Sequence, residues 1–296
     1  MAISINRREP IYEKPEIVFS NGSLVYIDTS FLGVPGKKDC FDILRGKSEY
    51  SSINSKDLET VIGELEDFGK VFDSDVSLTI PEVVSEVSGF NKGIKRACRY
   101  FAERNSRGHE DMKLKFRRLK GVIGGIYARA KEVQVEVVDR KYDLLVEMVV
   151  DLSKSFNLKR DNSYWNYNEH KRDKSHDNDT DERLVAMAYY SSLYDGLPVS
   201  ILSNDGDHLN LLEETSVFMG AMSSFNNRFF RWSLGENFVR SYRKDLRRPS
   251  LWRVDYDSRK ISFPKKTELN SEEHFKLNLR MKRRFNELYN LEKIDS

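Results

Sequence analysis

Cysteine is nearly absent from this chain: Cys40 and Cys98 are the only two in 296 residues, and neither has a second Cys or a His at metal-ligand spacing. That excludes a disulfide framework and implies buried thiols in a reducing compartment. Sixteen glycines and seven prolines are too few for a fibrous or disordered chain. No apolar run approaches the roughly 18 residues that a membrane-spanning helix needs, and the first residues, MAISINRREPIYEKPEIVFSNGS, hold no signal-peptide core. The expectation is a soluble, cytoplasmic protein with no membrane partner. An excess of one charge sign is missing too. With 49 Lys and Arg against 47 Asp and Glu, the formal net charge is only +2, which excludes nucleic-acid binding by uniform positive charge.

What remains is a chain with 39% hydrophobic residues and 11% aromatics, enough for a sizeable core in one large or two ordinary domains. LVYID at 24–28 follows the turn-forming Asn21-Gly22 and predicts a buried strand. DVSLTI at 75–80 predicts a second, and Pro81 then suits the first turn of a helix. Asp179 and Glu182 have the spacing of an N-cap and its N3 partner, opening a helix that Gly196 stops. VSILS at 199–203 predicts another strand, and SVFM at 216–219 a further short one. Short apolar runs alternating with helices imply an α/β fold with a mainly parallel sheet.

Two apolar stripes mark helices between these pieces. Val138, Tyr142, Leu145, Val149, Leu152 and Phe156 follow a 4-3-4-3-4 spacing, as a core-facing stripe does. Phe116, Leu119, Ile123, Ile126 and Ala130 form a weaker one, and Gly121, Gly124 and Gly125 inside it predict a bent, broken or closely packed helix. The stretch 160–180, which contains His170 and His176, reads as a polar loop, since its spacing matches no zinc motif. The tail beyond 261 carries the pattern of an amphipathic helix.

The position of certain acids points to function. Asp28 ends the first predicted strand and Asp205 follows a later one, Asp181 opens a helix, and Glu86 lies one turn into another. Ligands of open α/β sheets bind outside the carboxyl ends of the strands. Each acid also has a local explanation as a cap, a helix-dipole partner or a turn former. Acids converging on one edge, however, repel one another unless cations lie between them, and hard oxygen donors suit Mg²⁺ or Mn²⁺. Such a set fits metal-assisted phosphodiester hydrolysis.

LVYIDTSFL, IPEVVSEV, TDERLVAMA and VSILSNDGDHL resemble, in order, the four motif regions of PIN-domain nucleases. The resemblance covers 24–90 and 179–220, less than half the chain, and 95 positions separate Glu86 from Asp181, far more than in small PIN toxins. It implies a three-layer α/β/α sandwich with Asp28, Glu86, Asp181 and Asp205 as catalytic, metal-binding acids. Ser203 and Asn204 would support them, and Asp207 would be an additional acid. Glu82 and Asp179 compete with Glu86 and Asp181 for their places. The implied activity is a Mg²⁺- or Mn²⁺-dependent endoribonuclease, with structured DNA as the alternative substrate and a non-catalytic RNA-binding module as the alternative function. An inhibitory partner protein follows by analogy with PIN toxins, and self-association is the other partner expected.

On this reading residues 1–225 form the nuclease domain, 91–178 within them a helical and loop insertion, and 226–296 a basic, aromatic and helical extension. Residues 91–120 carry eleven Lys and Arg against three acids, among them Lys92, Lys95, Arg96 and Arg99. Residues 226–260 carry ten against four, including Arg243, Lys244, Arg247 and Arg248, interleaved with Phe229, Phe230, Trp232, Tyr242, Trp252 and Tyr256. Either run can be a solvated face. Beside an acidic metal site they would hold phosphates, and the aromatic rings would stack bases. His208, next to the Asp205 turn, is placed to touch substrate or merely to support its neighbours.

Overall fold

The computed structural model describes residues 24–32, 50, 53–103, 107–156, 179–205, 207–224, 249–255 and 260–262. They form a mixed α/β protein of five strands and six α-helices, divided into two compact units. The first unit takes the described residues up to Val137 together with Ser200–Asp205 and those from Trp252 onward; the second takes Val138–Val199 and those from Asp207 to Leu251.

The sheet has the order β2-β1-β3-β4-β5, with β1 at Leu24–Ile27, β2 at Ser77–Leu78, β3 at Val199–Leu202, β4 at Ser250–Asp255 and β5 at Lys260–Ser262, and all of it but Val199, Ser250 and Leu251 falls in the first unit. Strands β1 and β2 run parallel, Val25 opposite Ser77 and Tyr26 opposite Leu78, while β4 and β5 are antiparallel. Val25, Tyr26 and Ile27 are all buried, as a strand covered on both faces requires. The second strand is shorter than DVSLTI suggests, because the Ser77 amide donates to Ser74 O in a turn, although Thr79 still bridges to Gln134.

Helix α1 (Ser55–Phe68) starts at Asn54, whose side chain accepts from the Lys56 amide. Helix α2 (Pro81–Ala102) has Pro81 in its first turn, as expected, and buries Val83, Val84, Val87, Phe90, Ile94, Ala97 and Phe101. Helix α3 (Arg107–Glu132) buries the predicted stripe from Phe116 to Ala130, and the Phe116 ring stacks on Phe101 with centroids 5.4 Å apart. Cys98, half-buried on α2, is a free thiol whose pKa is pushed up chiefly by burial.

The glycines of α3 neither break the helix nor mark close packing: a Cβ on Gly121 or Gly124 would meet nothing within 4 Å. The close approach lies instead at Gly69, in the 3₁₀ turn Gly69–Asp73, where a Cβ would stand 2.9 Å from Ile126 Cγ1.

In the second unit α4 (Arg140–Phe156), α5 (Thr180–Tyr194) and α6 (Asp207–Ser224) pack on one another. The α4 stripe buries Tyr142, Leu145, Val149 and Leu152, but Val138 precedes the helix and is 96% exposed. Every residue of α5 from Leu184 to Tyr189 is buried, the mark of a helix covered all round. It ends where predicted, since Gly196 takes φ 72° just beyond. The capping box does not form: Asp179 makes no side-chain cap, and Glu182 turns inward to accept from Ser153 Oγ at 2.7 Å. SVFM is helical, not a strand, because it is the middle of α6, and four apolar residues alone cannot distinguish the two.

The extension read as helical contributes β4 and β5, so among the described residues it completes the sheet. The expected terminal helix, the 160–178 loop with both its histidines, and Cys40 lie outside the described residues.

Gly124→Ala is expected to stabilise the fold by about 0.5–1 kcal/mol by lowering the entropy of the unfolded chain, whereas Gly69→Ala should destabilise it by about 1–3 kcal/mol. Urea midpoints of the two variants check both signs. Burial, and secondarily the neighbouring Glu213 charge, raises the Glu214 carboxyl on α6 to about 7. The folded state then binds more protons than the unfolded chain between the ordinary carboxyl value and about 7, so stability falls as pH rises through that window. Glu214→Gln should flatten that part of a pH–denaturation curve, and an unchanged slope would refute the assignment.

Candidate functional site

The site in the first unit is assembled where β1 and β3 end. The Asp28 amide donates to Leu202 O at 3.0 Å, and the Ser203 amide donates to Trp252 O at 3.0 Å, so the residue after each strand is held by the neighbouring strand. Thr79 Oγ1 also donates to Ile27 O at 2.9 Å. The chain then turns through the 3₁₀ segment Thr29–Leu32 on one side and through Ser203, Asn204 and Asp205 on the other.

Two serine hydroxyls join these turns. Ser30 Oγ donates to Asp28 Oδ2 at 2.5 Å, Ser203 Oγ donates to the same oxygen at 2.9 Å, and the Ser30 amide does so at 3.2 Å. The two hydroxyls stand 2.9 Å apart, but each has a single proton, and the carboxylate takes both. Their lone pairs accept from the backbone: Ser30 Oγ from the Asn204 and Asp205 amides at 2.9 and 3.2 Å, and Ser203 Oγ from the Asp205 amide at 3.0 Å. Asp28 and Ser203 are 3% and 0% exposed, so these bonds are made out of water, where an unmet partner is costly.

The Asp28 carboxylate is thus fixed through Oδ2, and its Oδ1 has no hydrogen-bond partner among the described residues. A hard oxygen held in one orientation is a fitting ligand for a divalent cation such as Mg²⁺ or Mn²⁺. Glu86, one turn into α2, accepts from Thr29 Oγ1 at 2.6 Å, which ties it to the residue after Asp28. Glu82, its competitor, lies a turn earlier. The first unit therefore gathers Asp28, Glu86, Ser203, Asn204 and the Asp205 backbone.

Asp181 belongs to the second unit, in the first turn of α5. Its Oδ1 lies 3.8 Å from His208 Nε2, at the second residue of α6. Asp179 is the residue before α5, and Asp207 is the first of α6.

The basic segments separate by partner. On α3, Arg118 pairs with Glu66 through two bonds of 2.9 and 2.6 Å and with Glu59 at 2.6 Å, while Lys115 meets Ser55, Glu59 and Asp111. These bases clamp α3 to α1. Lys92, Lys95, Arg96 and Arg99 are exposed on α2 and follow an i, i+3, i+4, i+7 pattern, on the side of the helix away from its apolar face. Arg243, Lys244, Arg247 and Arg248 lie outside the described residues. Trp252, expected as a stacking platform, packs against the core instead, and its indole N–H donates to Ser200 Oγ at 3.1 Å.

Ser30, whose hydroxyl holds Asp28 and accepts from the opposite turn, is the site residue that sequence reading missed. The signal was there, since Asp-x-Ser is the pattern of a turn in which an Asp side chain accepts from the amide two residues on. Compared with family models, curated proteins and solved structures, the chain matches none.

Ser30→Ala removes a half-buried donor to Asp28 and an acceptor for two amides. A loss of about 1–3 kcal/mol is expected in chemical denaturation, against less than about 0.5 kcal/mol for an exposed control such as Ser85→Ala.

Proposed function

We propose that this protein is a divalent-metal-dependent nuclease that hydrolyses RNA, built on a PIN-like three-layer α/β/α sandwich. The observation that carries the reading is the Asp28 carboxylate at the end of a central strand, buried, held through one oxygen by two serines and with the other oxygen left for a ligand. Structural carboxylates are usually satisfied at both oxygens. The order of the PIN-like motifs supports the same reading, and it is the source of the preference for RNA over DNA.

In this mechanism Asp28 and Asp205 would be the principal ligands of Mg²⁺ or Mn²⁺, with Asp181 the further acid that the motif resemblance implies, and Glu86 would hold the ion or orient water. When bound, such an ion would supply Lewis-acid activation for phosphodiester hydrolysis. Ser30 and Ser203 keep Asp28 in its rotamer, and the Asn204 and Asp205 amides, bonded to the same hydroxyls, keep the second turn in register with the first. Lys92, Lys95, Arg96 and Arg99 begin six residues beyond Glu86 on the same helix, about 9 to 20 Å along its axis. They supply the phosphate contacts that an acidic site by itself would repel.

Cleavage of single-stranded RNA is expected to require Mg²⁺ or Mn²⁺ and to cease in EDTA. Asp28→Asn should lower it by on the order of 100-fold or more, and Ser203→Ala, through misorientation, by about 10-fold. Full activity of Asp28→Asn, or equal cleavage with and without EDTA, overturns the mechanism. Preferential cutting of flapped DNA in a parallel assay would move the substrate to DNA. Replacing Lys92, Lys95, Arg96 and Arg99 by Gln should reduce the salt dependence of RNA binding by up to about 0.7 per lost contact in log K against log salt. An unchanged slope would remove α2 from the binding surface.

A further inference from the structure

Asp181 and His208 stand at the starts of two helices of the second unit, α5 and α6. His208 is 0% exposed, so it does not meet substrate as a surface residue would. The separation of Nε2 from Asp181 Oδ1, 3.8 Å, is beyond hydrogen-bond reach. It is within the span of two ligands on one ion, since two bonds of about 2.1 Å reach as far as about 4.2 Å.

We propose that His208 is a nitrogen ligand which, with Asp181, binds a divalent ion at the starts of α5 and α6 and gives that site a preference for Mn²⁺ over Mg²⁺. The proposal rests on the metal-dependent reading above and deepens it. An all-carboxylate site suits Mg²⁺ well, whereas an imidazole suits transition ions and contributes little to Mg²⁺, which dehydrates reluctantly and keeps to oxygen. One buried histidine among acids therefore changes which ion is held, not only how tightly. The sequence places His208 three residues after Asp205, but only the packing of α5 on α6 brings it to Asp181.

The test is metal binding by the full chain, read by calorimetry and by the nitrogen couplings of bound Mn²⁺ in pulsed electron paramagnetic resonance. The wild type should bind Mn²⁺ at least about tenfold more tightly than Mg²⁺ and show an imidazole nitrogen coupling. His208→Gln should lose the coupling and at least about tenfold in Mn²⁺ affinity, with Mg²⁺ affinity changed less than about threefold. Mn²⁺ binding without that coupling, or a coupling that survives in His208→Gln, overturns the proposal and leaves the nuclease reading intact. Failure of the wild type to bind either ion overturns both. Should His208→Gln not fold, anomalous diffraction from a Mn²⁺-soaked crystal of the wild type decides. A peak within about 2.3 Å of Nε2 supports the proposal, and a peak coordinated only by carboxylates overturns it.

Discussion

The interaction on which the first unit's candidate site depends is the shared hydrogen bonding of Ser30 and Ser203 to one oxygen of Asp28. Two strands lying side by side do not by themselves fix the residues that follow them, because each turn can leave at its own angle. Here each turn gives one hydroxyl proton to the same carboxylate, Ser30 Oγ accepts from the backbone of the opposite turn, and Ser203 Oγ accepts from the Asp205 amide of its own. Moving either turn would leave several polar groups unmatched where water cannot replace their partners. The arrangement is rigid for that reason, and it sets both the rotamer of Asp28 and the position of the Asp205 backbone.

The surroundings of that site follow from packing. Thr79 and the Leu202 carbonyl anchor the start of the first turn, and Thr29 reaches across to Glu86 on α2. Helix α2 is held by its apolar face, so its opposite side is free to carry Lys92, Lys95, Arg96 and Arg99. Helix α3 has more bases but spends several on Glu59, Glu66 and Asp111, where they fasten α3 to α1 or brace its own turn. Identical residue types in one charge run thus have different roles, decided by which helix faces an acidic neighbour.

In the second unit the constraint is the burial of α5. A helix covered on every side must satisfy each polar side chain internally, and it does so through Tyr189, which donates to Leu212 O at 2.9 Å, and through Glu182, which accepts from Ser153. That inward turn of Glu182 is why the predicted capping box is absent. A cap serves an exposed helix end, whereas here the core offers the carboxylate a buried donor. Towards the surface, Tyr190 donates to Asp139 at 2.7 Å; burial first, and this bond second, raise its phenol to about 12.

Local pattern alone determined most of the elements: the strand before Asp28, the proline that opens α2, the stripe from Phe116 to Ala130, the stop at Gly196 and the acids beside the strand ends. These are legible because backbone periodicity, capping and burial act over a few residues. Tertiary structure alone decided that β4 and β5 join the sheet beyond β3, that Trp252 packs against the core, that SVFM is helical and that Gly69, not Gly121 or Gly124, is the point of close approach. It also decided that Ser30 and Ser203, 173 positions apart, serve one carboxylate. Such pairings depend on strand order and on which helix packs where, and a hydroxyl carries no mark in the sequence of the distant partner that will use its proton.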